Sequence, residues 1–181
     1  MPRRLDSSAW FLVPVALVAA APAGAMQYLK VEDARKLAFP QADAFEPYAY
    51  APTTEQRAAI DRAAHARATV GDPMIWRVSA AGQPAGWFIV DNVIGKVERI
   101  TYAVALGRDG TVRSIEILDY RETHGYEVRN PAWRRQFEGK SARAPLELGD
   151  DIKNISGATL SCRHLTDGVR RLLEIHDVVL K

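Results

Sequence analysis

Two strand-like runs, Ile100 to Leu106 and Thr111 to Leu118, separated only by Gly107-Arg108-Asp109-Gly110, constrain this chain more than any other feature. So short a connection leaves no room for a crossover, and the runs are therefore antiparallel neighbours. Val112, Ile115 and Ile117 give the second run the β-branched content of a half-buried sheet. A hairpin pattern precedes it, with Met74 to Ser79 and Trp87 to Asn92 on either side of a turn containing Gly82, Pro84 and Gly86. An antiparallel sheet thus occupies the middle of the chain.

Helical patterns flank the sheet. Val31 to Phe39 reads as a short helix ended by Pro40, and a second helix runs from Thr53 or Thr54 to Arg67, opened by a Thr53-x-x-Gln56 capping box. Pro40, Pro47 and Pro52 mark the sequence between them as irregular connection. Asn130-Pro131-Ala132-Trp133 starts a short helix through about Phe137, where Gly139 can stop it. At the C-terminal end Leu165, Val169, Leu172 and Leu173 recur at helical spacing up to about Ile175. Gly168 costs that helix about 1 kcal/mol relative to alanine, so packing of its apolar face must carry it. The pattern defines an α+β fold: an antiparallel sheet with helices packed on one face and at its ends.

The chain has 181 residues, enough to bury a real core. Its net charge is +2 with both signs interspersed, and the absence of a basic stripe argues against nucleic acid as a partner. The first residues differ from the rest: Arg3 and Arg4 precede an apolar run from Trp10 to Ala21, followed by Ala23-Gly24-Ala25. This is the form of a secretory signal peptide over residues 1–25, and the run is interrupted by Pro14 and short for a membrane span of about 20 residues. The expected location is periplasmic or otherwise extracytoplasmic, with membrane anchorage as the alternative if the signal is retained. Cys162 is the single cysteine, so no internal disulfide can form. Residues 26–80 then read as an N-terminal helical segment and 81–181 as the main domain.

The chemistry concentrates at Ser156-Gly157-Ala158-Thr159-Leu160-Ser161, at the head of the last helix. Gly157 and Ala158 leave space around the Thr159 hydroxyl, and the first turn of a helix presents unpaired N–H groups that favour a phosphate. The segment resembles the S-G-A-T-x-S motif of the FMN-binding domain family. Glu122-Thr123-His124-Gly125 is similar to that family's E-T-P-G segment, and Tyr102 to Tyr120 to the hairpin before it. One position departs from the family pattern: Lys153 stands where Asp is common, three residues before the serine.

The resemblance covers roughly the second half of the chain. Members occur in the flavoprotein subunits of sodium-pumping NADH:quinone reductase and of Rnf complexes, and as stand-alone extracytoplasmic proteins. In that family a flavin transferase, using Mg2+, transfers FMN from FAD to the threonine as a phosphoester and releases AMP. Carried over by position, the resemblance implies that Thr159 holds FMN covalently, with Ser156, Gly157, Ala158, Leu160 and Ser161 around it. By the same resemblance Glu122, Thr123 and Gly125 are expected to form the loop facing the flavin. It implies an electron-transfer protein whose partners are the flavin transferase and membrane-bound or periplasmic redox proteins.

Two other readings remain open: a flavin-dependent reductase of a small acceptor, and a non-redox binding module that keeps the fold without flavin. The sequence shows no acid/base pair aimed at a pocket, so no catalytic residue is assigned. His65, His124, His164 and His176 lack the spacing of metal ligands, and none is expected to bind metal. A Ser156/His124/Asp151 hydrolytic set can be drawn by residue type, but the G-x-S-x-G turn is missing. Tyr126, Arg129 and Trp133 could reach a ring, although core packing suits Trp133 better and a solvated charge or ion pair suits Arg129.

Overall fold

The computed structural model describes residues 26–65 and 68–181; the expected signal segment, and the expected end of the second helix at Arg67, lie outside the described residues. Among the described residues six antiparallel strands form one sheet: β1 (Met26–Gln27), β2 (Ala44–Tyr48), β3 (Met74–Ala80), β4 (Gln83–Ile94), β5 (Arg99–Gly107) and β6 (Val112–Tyr120), in the order β1-β6-β5-β4-β3-β2. The helices are α1 (Val31–Ala38), α2 (Thr54–Ala64), the short α3 (Pro131–Arg134) and α4 (Thr159–Ile175), the last followed by a π-type turn over His176–Leu180. The α+β class and a C-terminal helix beginning inside the S-G-A-T segment are both observed.

Alternation along the strands builds two cores. Ile89, Val93, Tyr102, Val104, Ile115 and Ile117 face one side, against Ile60 of α2 and Cys162, Leu165, Val169 and Leu172 of α4. Phe88, Val90, Ala103, Ala105 and Leu118 face the other, against Ala34 and Ala38 of α1 and against Phe39. Helices therefore cover both faces. The small side chains of Ala34 and Ala38 let α1 lie close to the sheet, where Arg35 stacks over Trp76 at 4.1 Å.

Residues 26–80 are not a helical lobe. They contribute β1, β2 and β3 to the common sheet, and the expected boundary at 80/81 falls in the β3–β4 turn. Strand β2 occupies the stretch expected to be irregular; Pro47 is tolerated because β2 is an outer strand with one side unpaired. Strand β4 continues through Pro84 and Gly86, since a shift of register at Val78/Ser79 absorbs them and the turn tightens to Ala81-Gly82. The Thr53/Gln56 capping box forms as expected, but α2 stops at Ala64, where His65 takes a left-handed conformation.

Helix α4 is tied to the sheet by a buried ionic group as well as by its apolar face. Arg171 approaches the fully buried Asp91 at 3.3 Å, and Tyr102 donates to the same carboxylate at 2.9 Å. Burial raises the Asp91 pKa, with Arg171 opposing that shift. At Gly168 a Cβ would lie 2.4 Å from the Tyr102 hydroxyl, so glycine here permits close helix–sheet contact at a cost in helix propensity.

Candidate functional site

Strand order decides where the site lies. Antiparallel pairing puts the β4–β5 turn and the exit of β6 at the same end of the sheet, with Ile100 opposite both Val93 and Tyr120. The N-terminus of α4 comes to that same end. Between these three segments opens a cleft of about 770 Å³, lined by Lys96, Val97 and Glu98 from the turn, residues 121–124 from the loop after β6, and residues 157–161 from the head of α4.

Thr159 is the first residue of α4 and is exposed, and its Oγ1 accepts a hydrogen bond from Asn154 Nδ2 at 3.0 Å. Ala158 occupies the N-cap position and no side chain caps the helix, so the first-turn N–H groups have no capping partner. Ser156 is exposed and takes no capping role. Gly157, at φ +85°, supplies the left-handed turn that brings the chain into the helix.

The loop after β6 meets this helix head through an unusually close approach. Gly125 has φ +82°, and a Cβ there would stand 2.7 Å from the Tyr120 hydroxyl and 3.1 Å from the Ala158 methyl. Gly125 and Ala158 are thus the two small residues that let the loop and the helix touch. Tyr120 bridges them: it donates to the His124 carbonyl at 2.6 Å and, its proton so placed, accepts from Ser161 Oγ at 3.2 Å. Burial pushes the Tyr120 phenol above its ordinary pKa, which keeps it a neutral donor.

The expected site residues divide accordingly. Thr159, Leu160, Gly157, Ala158, Ser161, Glu122 and Thr123 all line the cleft, whereas Gly125 and Ser156 do not and serve the approach to it. Ser161 is buried and spent on Tyr120. Leu160 is 42% exposed, so it belongs to the cleft surface and not to the core. Glu122 does not simply face the opening: its Oε1 accepts from the backbone of Val97 and Glu98. Thr123 Oγ1 is paired with His124 Nδ1 at 2.8 Å.

Other candidates resolve in the same way. Trp133 is buried and donates to the Lys153 carbonyl at 2.7 Å, and the Lys153 N–H is held by Gln136, so the backbone before the motif is fixed while the Lys153 side chain is exposed. Arg129 stacks over Tyr28 at 3.9 Å. Asp151 is bound to Lys140 and to the N–H groups of Leu146 and Glu147, which spends the carboxylate a hydrolytic set would need. Cys162 is buried, and burial raises its pKa. Among the described residues no group of three or more His, Cys, Asp or Glu could hold a metal ion.

Sequence reading missed Asn154, Tyr120, Arg121, His164 and the Lys96–Glu98 turn. Asn154 lies beside the motif and could have been suspected from its donor group alone. The others carry no local signal, because strand register and helix packing bring them in.

The residues fit a flavin mononucleotide. The cleft falls within the roughly 300–1,000 Å³ of small-molecule sites. It pairs an uncapped helix start for the phosphate with the apolar Val97 and Leu160 for the ring; Lys96 stands beside Glu98, and Arg121 is paired with Asp119 at 2.7 Å. Fold and site together define an α+β domain whose last helix starts with a threonine that opens onto a cleft. Residues 95–174 match the family model of the FMN-binding domain. The chain is also similar to a subunit of the Na(+)-translocating ferredoxin:NAD(+) oxidoreductase complex of Acetobacterium woodii, 28% identical over 96 residues. That match covers 48% of this chain and 45% of the relative, so the chain spans less than half of the relative's length. The matched residues 95–174 begin at the β4–β5 turn and hold every cleft-lining residue, while β1, β2, β3 and β4 complete the sheet from outside the match.

Proposed function

We propose that this protein is an extracytoplasmic electron-transfer flavoprotein whose FMN is esterified to Thr159 and which relays electrons between redox partners. The observation that carries the reading is the exposed Thr159 hydroxyl at an uncapped helix start, opening onto a cleft large enough for a flavin. The FMN-binding match over 95–174 supports the cofactor. The similarity to a component of a Na(+)-translocating ferredoxin:NAD(+) oxidoreductase complex supports a redox role with redox partners.

When bound, the flavin supplies reversible electron transfer; the protein supplies attachment, orientation and access. In maturation, the Thr159 hydroxyl attacks the flavin-side phosphorus of FAD in a flavin transferase. The Oγ–P bond forms as the P–O bond to AMP breaks, and the hydroxyl proton leaves with the transferase's base. Asn154 holds Oγ1 through a donated hydrogen bond, which leaves the Thr159 O–H free to give up that proton. The helix start favours the phosphate by only about 0.3–1 kcal/mol. Micromolar retention needs about 8 kcal/mol, so a covalent link makes a weak site permanent outside the cytoplasm, where the Arg3/Arg4 and apolar leader pattern directs the chain. The cleft's Glu122 is engaged in holding the β4–β5 turn and the His124 ring is paired with Thr123, which favours a carrier over a reductase with its own acid/base pair.

Co-expression with a flavin transferase tests the reading. The intact chain is expected to gain the mass of FMN less water and to fluoresce on a denaturing gel, while Thr159→Ala gains neither. A colourless wild-type chain of unchanged mass would refute the covalent assignment.

A further inference from the structure

Resting on the flavin reading, we propose that Glu122 and His164 are positioning residues that brace the β4–β5 turn as a wall of the flavin cleft, so that Val97 and Leu160 contact the cofactor ring from separate elements. The turn itself is short and is closed by Gly95 N to Glu98 O at 2.8 Å. Its remaining stiffness is supplied from outside. Glu122 Oε1 accepts from Val97 N at 2.6 Å and from Glu98 N at 2.9 Å, charge-assisted bonds of the stronger kind. From α4, the His164 Nδ1–H reaches the carbonyls of Ile94 at 2.6 Å and Gly95 at 2.9 Å. Donation to two carbonyls requires that nitrogen to carry the proton.

Gly95 makes the brace possible. A Cβ there would lie 2.6 Å from Glu122 Oε1 and 3.0 Å from the Ile100 side chain, so a larger residue would push the carboxylate off the turn. The clamp therefore joins the β6 exit loop, the β4–β5 turn and α4, the three segments that bound the cleft. At the clamped turn sits Val97, 70% exposed, and at the head of α4 sits Leu160, 42% exposed; both line the same cleft. Two large apolar side chains left open to one cavity, amid Lys96, Glu98 and Arg121, fit a planar apolar ligand that covers them on binding. Thr159 fixes the phosphate end, and the clamped turn sets where the ring end lies.

The experiment has two arms. In apoprotein, hydrogen exchange at the Val97 and Glu98 amides is compared among wild type, Glu122→Ala, Glu122→Gln and His164→Ala. Exchange is expected to quicken about tenfold or more in Glu122→Ala and to return most of the way in Glu122→Gln, whose amide oxygen still accepts. In flavinylated protein, with occupancy fixed by intact mass, iodide quenching of the flavin is measured for wild type, Glu122→Ala and Val97→Ser. The last lies at an exposed position and leaves the fold intact. The quenching slope is expected roughly to double in both variants, as a planar ring covered on two faces loses one. Unchanged amide exchange in Glu122→Ala, or unchanged quenching in fully flavinylated Val97→Ser, overturns the inference. A wild-type chain that neither gains the FMN mass nor retains FMN noncovalently overturns the underlying flavin reading and the ring contact with it, while the amide arm separately decides the brace.

Discussion

Replacing Gly125 by alanine puts the contact between the β6 loop and the head of α4 under direct strain. The left-handed backbone at φ +82° costs an alanine about 1–2 kcal/mol. The added methyl meets the Tyr120 oxygen at 2.7 Å, so that hydroxyl must move and weaken its bonds to His124 and Ser161, worth about 1 kcal/mol together once relaxation is allowed. The expected loss of stability is therefore about 2–3 kcal/mol, read from urea denaturation followed by tryptophan fluorescence. Tyr120→Phe alone should cost about 1 kcal/mol. Because the phenylalanine also removes the atom the new methyl strikes, the double variant Gly125→Ala/Tyr120→Phe should be less destabilised than the sum by about 1 kcal/mol. Strict additivity, or a Gly125→Ala protein within about 0.5 kcal/mol of wild type, would show that the approach of loop to helix does not depend on this packing.

Two further outcomes follow from the site and its supports. Asn154→Ala should slow FMN incorporation about fivefold without changing stability appreciably, because one exposed hydrogen bond of about 1 kcal/mol orients Thr159 Oγ1; a time course of intact mass measures it. The Asp151 carboxyl is pushed upward by burial, but Lys140 and the N–H groups of Leu146 and Glu147 outweigh this and hold its pKa below the ordinary value. A depressed folded-state pKa stabilises the protein above the unfolded value of about 3.9 and loses that contribution as the pH falls through the folded one. Wild type should thus lose urea resistance below about pH 4 more steeply than Asp151→Asn, and parallel curves would refute the assignment.

Much of the fold was legible in local pattern. The β5–β6 hairpin follows from a four-residue turn, the start of α2 from a capping box, and the buried stripe of α4 from Leu165, Val169, Leu172 and Leu173. Strand β2 was hidden because Pro47 reads as a strand breaker, and only its place at the sheet edge, where the missing N–H costs nothing, makes it acceptable. The placement of α1 on the second face was hidden too, since an amphipathic helix announces that it has a buried side but not which side of a sheet will receive it.

The sequence by itself determined the candidate attachment residue: a threonine behind glycine and alanine at a helix start is a property of adjacent residues, and local backbone geometry suffices to expose the hydroxyl. Only the tertiary structure decided what stands around that hydroxyl. Tyr120 meets Ser161 across 41 positions and His164 meets Ile94 across 70, and Glu122, while lining the cleft, also accepts from a turn that precedes it in the chain. Such bonds have no sequence period, because they form between elements whose neighbourhood is set by strand order and by the close approaches that Gly95, Gly125 and Gly168 permit.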